Sequence, residues 1–232
     1  MDRTAANDHL NVVQWLDVNR GEGCSTSAMD GAARNGQRGM LKWLHKNSTV
    51  GCTAMAMSDA ATAGHLEIVK WLHQQLRLHN REPAAMDKAA AKNRLDMVQW
   101  LHTVRKEGCT TRAMDDAAAY GFLEVVLWLH AHRSEGCTAS AIDGAAANGH
   151  LEVLKWLDTH RSEGCTTTAI DRAAANGHLE DGHLKVLIWL HENTSAHCTT
   201  EAMDMAAMMG HLDVVQWLHH SRSEGCTVKA VD

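Results

Sequence analysis

Each of the eight tryptophans in this 232-residue chain is followed by a leucine, and the pairs return at almost constant intervals. Trp15, Trp43, Trp71, Trp100, Trp128, Trp156, Trp189 and Trp217 stand 28, 28, 29, 28, 28, 33 and 28 residues apart. A cysteine comes nine residues after each (Cys24, Cys52, Cys109, Cys137, Cys165, Cys198 and Cys226), with Asn80 in its place in the third repeat. Self-similarity at a period of about 20–50 residues marks stacked-repeat proteins, whose single units cannot bury their apolar faces alone. Length then adds units rather than depth. Residues 1–232 are expected to form one all-α helix-turn-helix solenoid of about eight repeats. Whatever recurs in every unit should hold the stack, and the tryptophans are expected to be a structural ladder buried between repeats.

The unit reads roughly C-T-T-x-A-M-D-x-A-A-A-N-G-H-L-E-V-V-K-W-L-H-x-x-R-S-E-G. Ser25, Thr53, Thr110, Thr138, Thr166, Thr199 and Thr227 open the first helix of each unit, with side chains able to accept from orphan amides. Gly36, Gly64, Gly121, Gly149 and Gly210 stop it, and Asp8 and Asn93 substitute; these residue types best tolerate a left-handed C-terminal conformation. At about 100° per residue, Ala28, Met29, Ala32 and Ala33 share one side of the first helix, opposite Asp30, Gly31, Arg34 and Asn35. Leu10, Val12, Val13, Trp15 and Leu16 cover over half of the second helix. The first helix is therefore half-exposed, and the second has neighbours on most sides.

The string A-A-x-x-G-H-L-E-V-V-x-W-L, met with one substitution each at Ala145–Leu157 (Leu154) and Ala206–Leu218 (Asp213), resembles the core of the ankyrin repeat, and the likeness runs the length of the chain. Two departures stand out: a 28-residue period, and x-Ala-Met-Asp (Ala28-Met29-Asp30) in place of the family's Thr-Pro-Leu-His start. The missing residues fall where ankyrin proteins project a β-hairpin finger, so the resemblance implies an ankyrin-like solenoid with fingers shortened or absent. Such short, Trp-bearing units resemble the arrays expanded in oomycetes and giant viruses.

Three breaks interrupt the pattern. The third repeat carries His73–Ala84, with one extra residue, no cysteine and the only proline, Pro83. The sixth contains "GHLEDGHLKV", a five-residue duplication at 177–181 expected to bulge in the turn between its helices and leave Trp189 in register. The ends carry ordinary internal-type units without polar caps, which reads as a fragment of a longer array.

Charge and thiol usage narrow the function classes. Twenty-two basic against 28 acidic residues, with no basic stripe, argue against a nucleic-acid groove. No apolar run approaches 18 residues and no leader is evident, so no membrane partner is expected. Seven cysteines at one repeat position would lie about 8–10 Å apart, beyond disulfide reach, which favours reduced thiols and a cytoplasmic location. Histidines recur at the Gly-His start of the second helix (His65, His150, His183, His211) and after the Trp-Leu pair (His45, His73, His102, His130, His191, His219). Neither set has the clustered spacing of a zinc site, so no metal and no cofactor are expected.

The aspartates Asp2, Asp30, Asp87, Asp115, Asp143, Asp171, Asp204 and Asp232, with Ser58 as the exception, are expected to bond turn amides of an adjoining repeat. Arg20, Arg105, Arg133, Arg161 and Arg222 each precede a glutamate (Glu22, Glu107, Glu135, Glu163, Glu224) by two, which suggests ion pairs between repeats. No phosphate loop, nucleophile elbow or H-E-x-x-H occurs, so no enzyme activity is expected.

Function should then lie where the repeats disagree. On the first helix the exposed positions run Gly31, Asp59, Lys88, Asp116, Gly144, Arg172, Met205 and Asn35, Ala63, Lys92, Tyr120, Asn148, Asn176, Met209. Lys88, Lys92, Asp116, Tyr120, Phe122, Arg172 and Met205 are the candidate partner contacts. The reading is a monomeric, non-catalytic protein-binding scaffold. The alternative is a regulatory repeat arm of a larger enzyme such as a kinase.

Overall fold

A computed structural model describes residues 1–21, 23–76, 83–106, 108–177 and 183–230. The expectations placed on Glu22, Asn80, Glu107, residues 178–181 and Asp232 lie outside the described residues. The chain divides into two compact units, Met1–Thr110 and Thr111–Asp232. The first holds α1 (Asp2–Ala6), α2 (Leu10–Asn19), α3 (Thr26–Arg34), α4 (Arg38–Asn47), α5 (Ala54–Ala63), α6 (Leu66–Leu76), α7 (Ala84–Ala90) and α8 (Leu95–Trp100), which a π turn continues over Leu101–Arg105. The second holds α9 (Thr111–Ala119), α10 (Leu123–His132), α11 (Ala139–Ala147), α12 (Leu151–His160), α13 (Thr167–Ala175), α14 (His183–Asn193), α15 (Thr200–Met208) and α16 (Leu212–Ser221), then a 3₁₀ turn over Val228–Ala230. Among the described residues there is no strand. Each unit is an all-α, ankyrin-like solenoid.

The odd-numbered helices pack side by side: α1 on α3, α3 on α5 and α5 on α7 in the first unit, α9 on α11, α11 on α13 and α13 on α15 in the second. Alanine makes this possible. Ala28, Ala32, Ala33, Ala60, Ala61 and Ala89 are fully buried in the first unit, as are Ala117, Ala145, Ala173 and Ala206 in the second. The approach is closest at two glycines, where an added Cβ would lie 2.8 Å from Ala6 Cβ (Gly31) or 2.6 Å from Ala119 Cβ (Gly144).

A carboxylate of one repeat anchors the helix start of the next. Asp30 accepts through Oδ1 from Thr53 N–H (2.9 Å) and through Oδ2 from Thr53 Oγ1 (2.8 Å). Thr53 Oγ1 in turn accepts from Met55 N–H at 3.1 Å, so the cap is itself capped. Asp2 holds Ser25 in the same way, and Asp87 holds Thr110. In the second unit Asp115, Asp143, Asp171 and Asp204 hold Thr138, Thr166, Thr199 and Thr227. The offset is 23 residues at every step except Asp171 to Thr199, where it is 28.

Helix ends are tied by a second ladder. The left-handed stops lie at φ 78° (Gly36), 83° (Gly64) and 78° (Gly121), with Asp8 at 60° and Asn93 at 55°. Beyond the stop, the residue opening the second helix reaches back to the preceding repeat's first helix, whose last carbonyls have no partner inside that helix. Gln37 Nε2 donates to Ala6 O (2.7 Å), His183 Nε2 bonds Ala147 O (3.1 Å) and His211 Nε2 bonds Ala175 O (3.1 Å). Asn35, Asn148 and Asn176 donate to Ala6, Ala119 and Ala147 carbonyls alongside. The Gly-His histidines His183 and His211 therefore join repeats.

The tryptophan ladder needs correction. Only Trp71 is buried; Trp15 is 59% exposed, and the other indoles are half-buried. The residues that fill the core are their neighbours, with Leu44, Leu72, Leu101, Leu157 and Leu190 at 0% exposure. Leu follows Trp by 100° of helix turn, and that turn carries it inward while the indole lies along the outer edge. There the indole's partners are histidines of the preceding repeat. Edge-to-face pairs join His45 to Trp71, His73 to Trp100, His130 to Trp156 and His191 to Trp217, with centroids 5.0–5.6 Å apart. Trp128 and Trp156 also stack on His132 and His160 one helical turn along.

Candidate binding face

The outward side of the odd-numbered helices carries the residues that change from repeat to repeat. In the first unit Asp59 on α5 sits between two cations. Arg34 of α3 donates to it from Nε (2.9 Å) and Nη2 (2.5 Å), and Lys88 of α7 lies 3.5 Å away, with its Nζ also 3.4 Å from Ser58 Oγ. Lys88 is thus exposed but engaged, and Lys92 lies exposed in the turn after α7. The Arg34–Asp59 contact was not anticipated: Asp59 is the counterpart of Gly31, and Arg34 reaches it from three residues further along its own helix. An exposed pair of this kind contributes about 0–1 kcal/mol, so its main effect is to fix where the charges point.

In the second unit Asp116 is half-buried on α9, while Tyr120, 53% exposed, stacks on half-buried Phe122 with ring centroids 6.0 Å apart. Phe122 stands where most repeats have the bridging histidine. Arg172 is exposed on α13 and Met205 half-buried on α15. Met208, Met209 and Leu212 are exposed at 64%, 56% and 66%; Met209 is one of the variable positions expected to be exposed, whereas Met208 and Leu212 were not anticipated. Lys88 and Lys92 belong to the first unit, and Asp116, Tyr120, Phe122, Arg172 and Met205 to the second.

The repeated chemistry is structural. Burial, with the nearby Asp30 charge adding to it, pushes the Cys52 thiol up to about 11. Burial and Glu163 do the same to Cys137, and burial and Glu224 to Cys198, each again to about 11. Such thiols are poor nucleophiles at neutral pH. The Arg-x-Glu pairs close within one turn, Arg133 on Glu135 and Arg161 on Glu163, and do not link repeats through their own salt bridge as anticipated. Two residues of separation in an extended turn already bring the groups together. Among the described residues no three His, Cys, Asp or Glu side chains are grouped to hold a metal ion, and no helix is long and apolar enough to cross a membrane.

Serial helical hairpins locked by a recurring cap lattice, with repeat-specific side chains left outside it, define a repeat scaffold. The family model described as ankyrin repeats (many copies) matches residues 57–102 and 179–219, so these stretches carry ankyrin repeats. No curated protein matches the chain. Ankyrin repeats are generally protein–protein interaction modules.

Proposed function

We propose that the chain is a non-catalytic scaffold that binds another protein through the outward side of its first helices. The observation that carries this reading is the contrast between lattice and face. Asp, Thr, Gly, Ala and Leu positions are spent on packing, whereas Arg172, Met205, Tyr120 and the exposed Met208 and Met209 differ from their counterparts and are not needed for it. Aromatic, Met and Arg side chains are the types enriched at interface cores. The repeated thiols, raised by burial, favour a binding role over catalysis. Seven free cysteines favour a reducing compartment, the cytoplasm.

The test is site-specific photo-crosslinking in cell extract. A crosslinking residue at Tyr120, Arg172 or Met205 should capture the same partner from each position. One at Glu152 or Gln216, exposed on second helices, should not. Capture from the second-helix positions alone would overturn the reading.

A further inference from the structure

At the Arg161–Glu163 turn a guanidinium closes the gap to the preceding turn. Arg161 pairs with Glu163, acts on the Cys137 thiol of the preceding repeat, and lies so close over Gly136 that a Cβ there would collide with Nη2. One repeat on, the motif reads Thr194-Ser195-Ala196-His197. Thr194 acts on the preceding thiol, Cys165, but does not reach over Gly164. Gly164 has the same backbone as Gly136 (φ 68° against 73°), yet nothing lies within 4 Å of where its Cβ would be. A cavity of about 400 Å³ opens there instead, lined by Asp158, Gly164, Cys165, Thr194, Ser195 and His197.

We propose that this cavity binds the guanidinium of an arginine side chain presented by a protein partner. The chain itself supplies the precedent, since in the adjoining turn the equivalent space is filled by its own arginine. The lining suits a planar cation with five donors: the Asp158 carboxylate, the Thr194 and Ser195 hydroxyls and the Cys165 sulfur can all accept. No Lys or Arg lines it. The Asp143 and Asp158 charges both act on Cys165, so the local field favours a cation. The motif's own carboxylate is replaced by Ala196, which leaves Asp158 as the counter-charge for a guest. The volume falls within the range of small-ligand sites. The proposal rests on the protein-binding reading only for the source of the arginine.

The test is an NMR titration of the isotope-labelled full chain with N-acetyl-arginine methylamide, its neutral citrulline isostere, and agmatine. The arginine derivative should shift resonances of residues 164–167 and 194–197 and bind at least about tenfold tighter than citrulline, the effect of one charge-assisted contact. Thr194→Arg with Ala196→Glu should restore the intramolecular pair and abolish the response. Asp158→Asn, at an exposed position, should weaken it about tenfold with the rest of the spectrum unchanged. Equal binding of citrulline, or a response that survives the filled-in variant, would overturn the site. Binding of agmatine without the doubly capped arginine would overturn a protein as its source. Failure of the first-helix crosslinks would leave these readings unaffected, so the two proposals fail separately.

Discussion

At the residue scale, a glycine stop in this array satisfies two requirements at once, and they can be separated. Gly121 (φ 78°) needs left-handed backbone, and a Cβ there would also come within 2.6 Å of the His150 ring. Gly210 (φ 79°) has the same backbone with nothing within 4 Å. Gly210→Ala should cost about 1–2 kcal/mol from the backbone alone. Gly121→Ala should cost measurably more in the same urea titration; equal losses would mean that the ring moves aside freely. His150 itself is held below its ordinary pKa, first by burial and then by the His183 charge, against a bond to the Ala119 carbonyl. A depressed histidine contributes stability that is complete above its unfolded value of about 6.5 and is lost as pH falls through the folded value. His150→Gln should flatten the acid limb of the stability–pH curve, because Gln37 shows that a glutamine can make the same bond, 2.7 Å to Ala6 O.

At the element scale, helix starts and stops were readable because each is set by a residue's own chemistry. Thr53, Thr138 and Thr166 cap as their hydroxyls allow, and Asp8 and Asn93 take the left-handed turn expected of them. What covers a helix face was less readable. Recurrence marks Trp as structural without saying what lies against it, and the edge-to-face histidine comes from another repeat, at a position that looks unremarkable in isolation. The same applies to the candidate face: Lys88 and Tyr120 could be placed on exposed positions, but the Arg34–Asp59–Lys88 arrangement depends on helix spacing that no single repeat encodes. Trp71, at 8% exposure, and Trp15, at 59%, test the corrected picture. Trp71→Ala should cost about 3–5 kcal/mol, within the range for large core truncations, and Trp15→Ala under about half of that. Similar losses at the two sites would restore the buried-ladder view.

At the scale of the whole molecule, order is passed from neighbour to neighbour. Each carboxylate anchors only the next repeat, so a broken link should act locally. Asp143→Ala removes both acceptors of Thr166, a loss of about 1.5–3 kcal/mol for bonds to a charged group. Hydrogen exchange should speed at amides of α13 and α14 and stay unchanged in α9 and α10; uniform acceleration would mean that the second unit opens as a whole. The thiols make such opening visible without isotopes. Cys226 is exposed, whereas Cys109, Cys137 and Cys198 are buried. A maleimide dye on the native protein should therefore attach first at Cys226, and a second adduct at any buried thiol would time-stamp the loosening of the turn that shelters it.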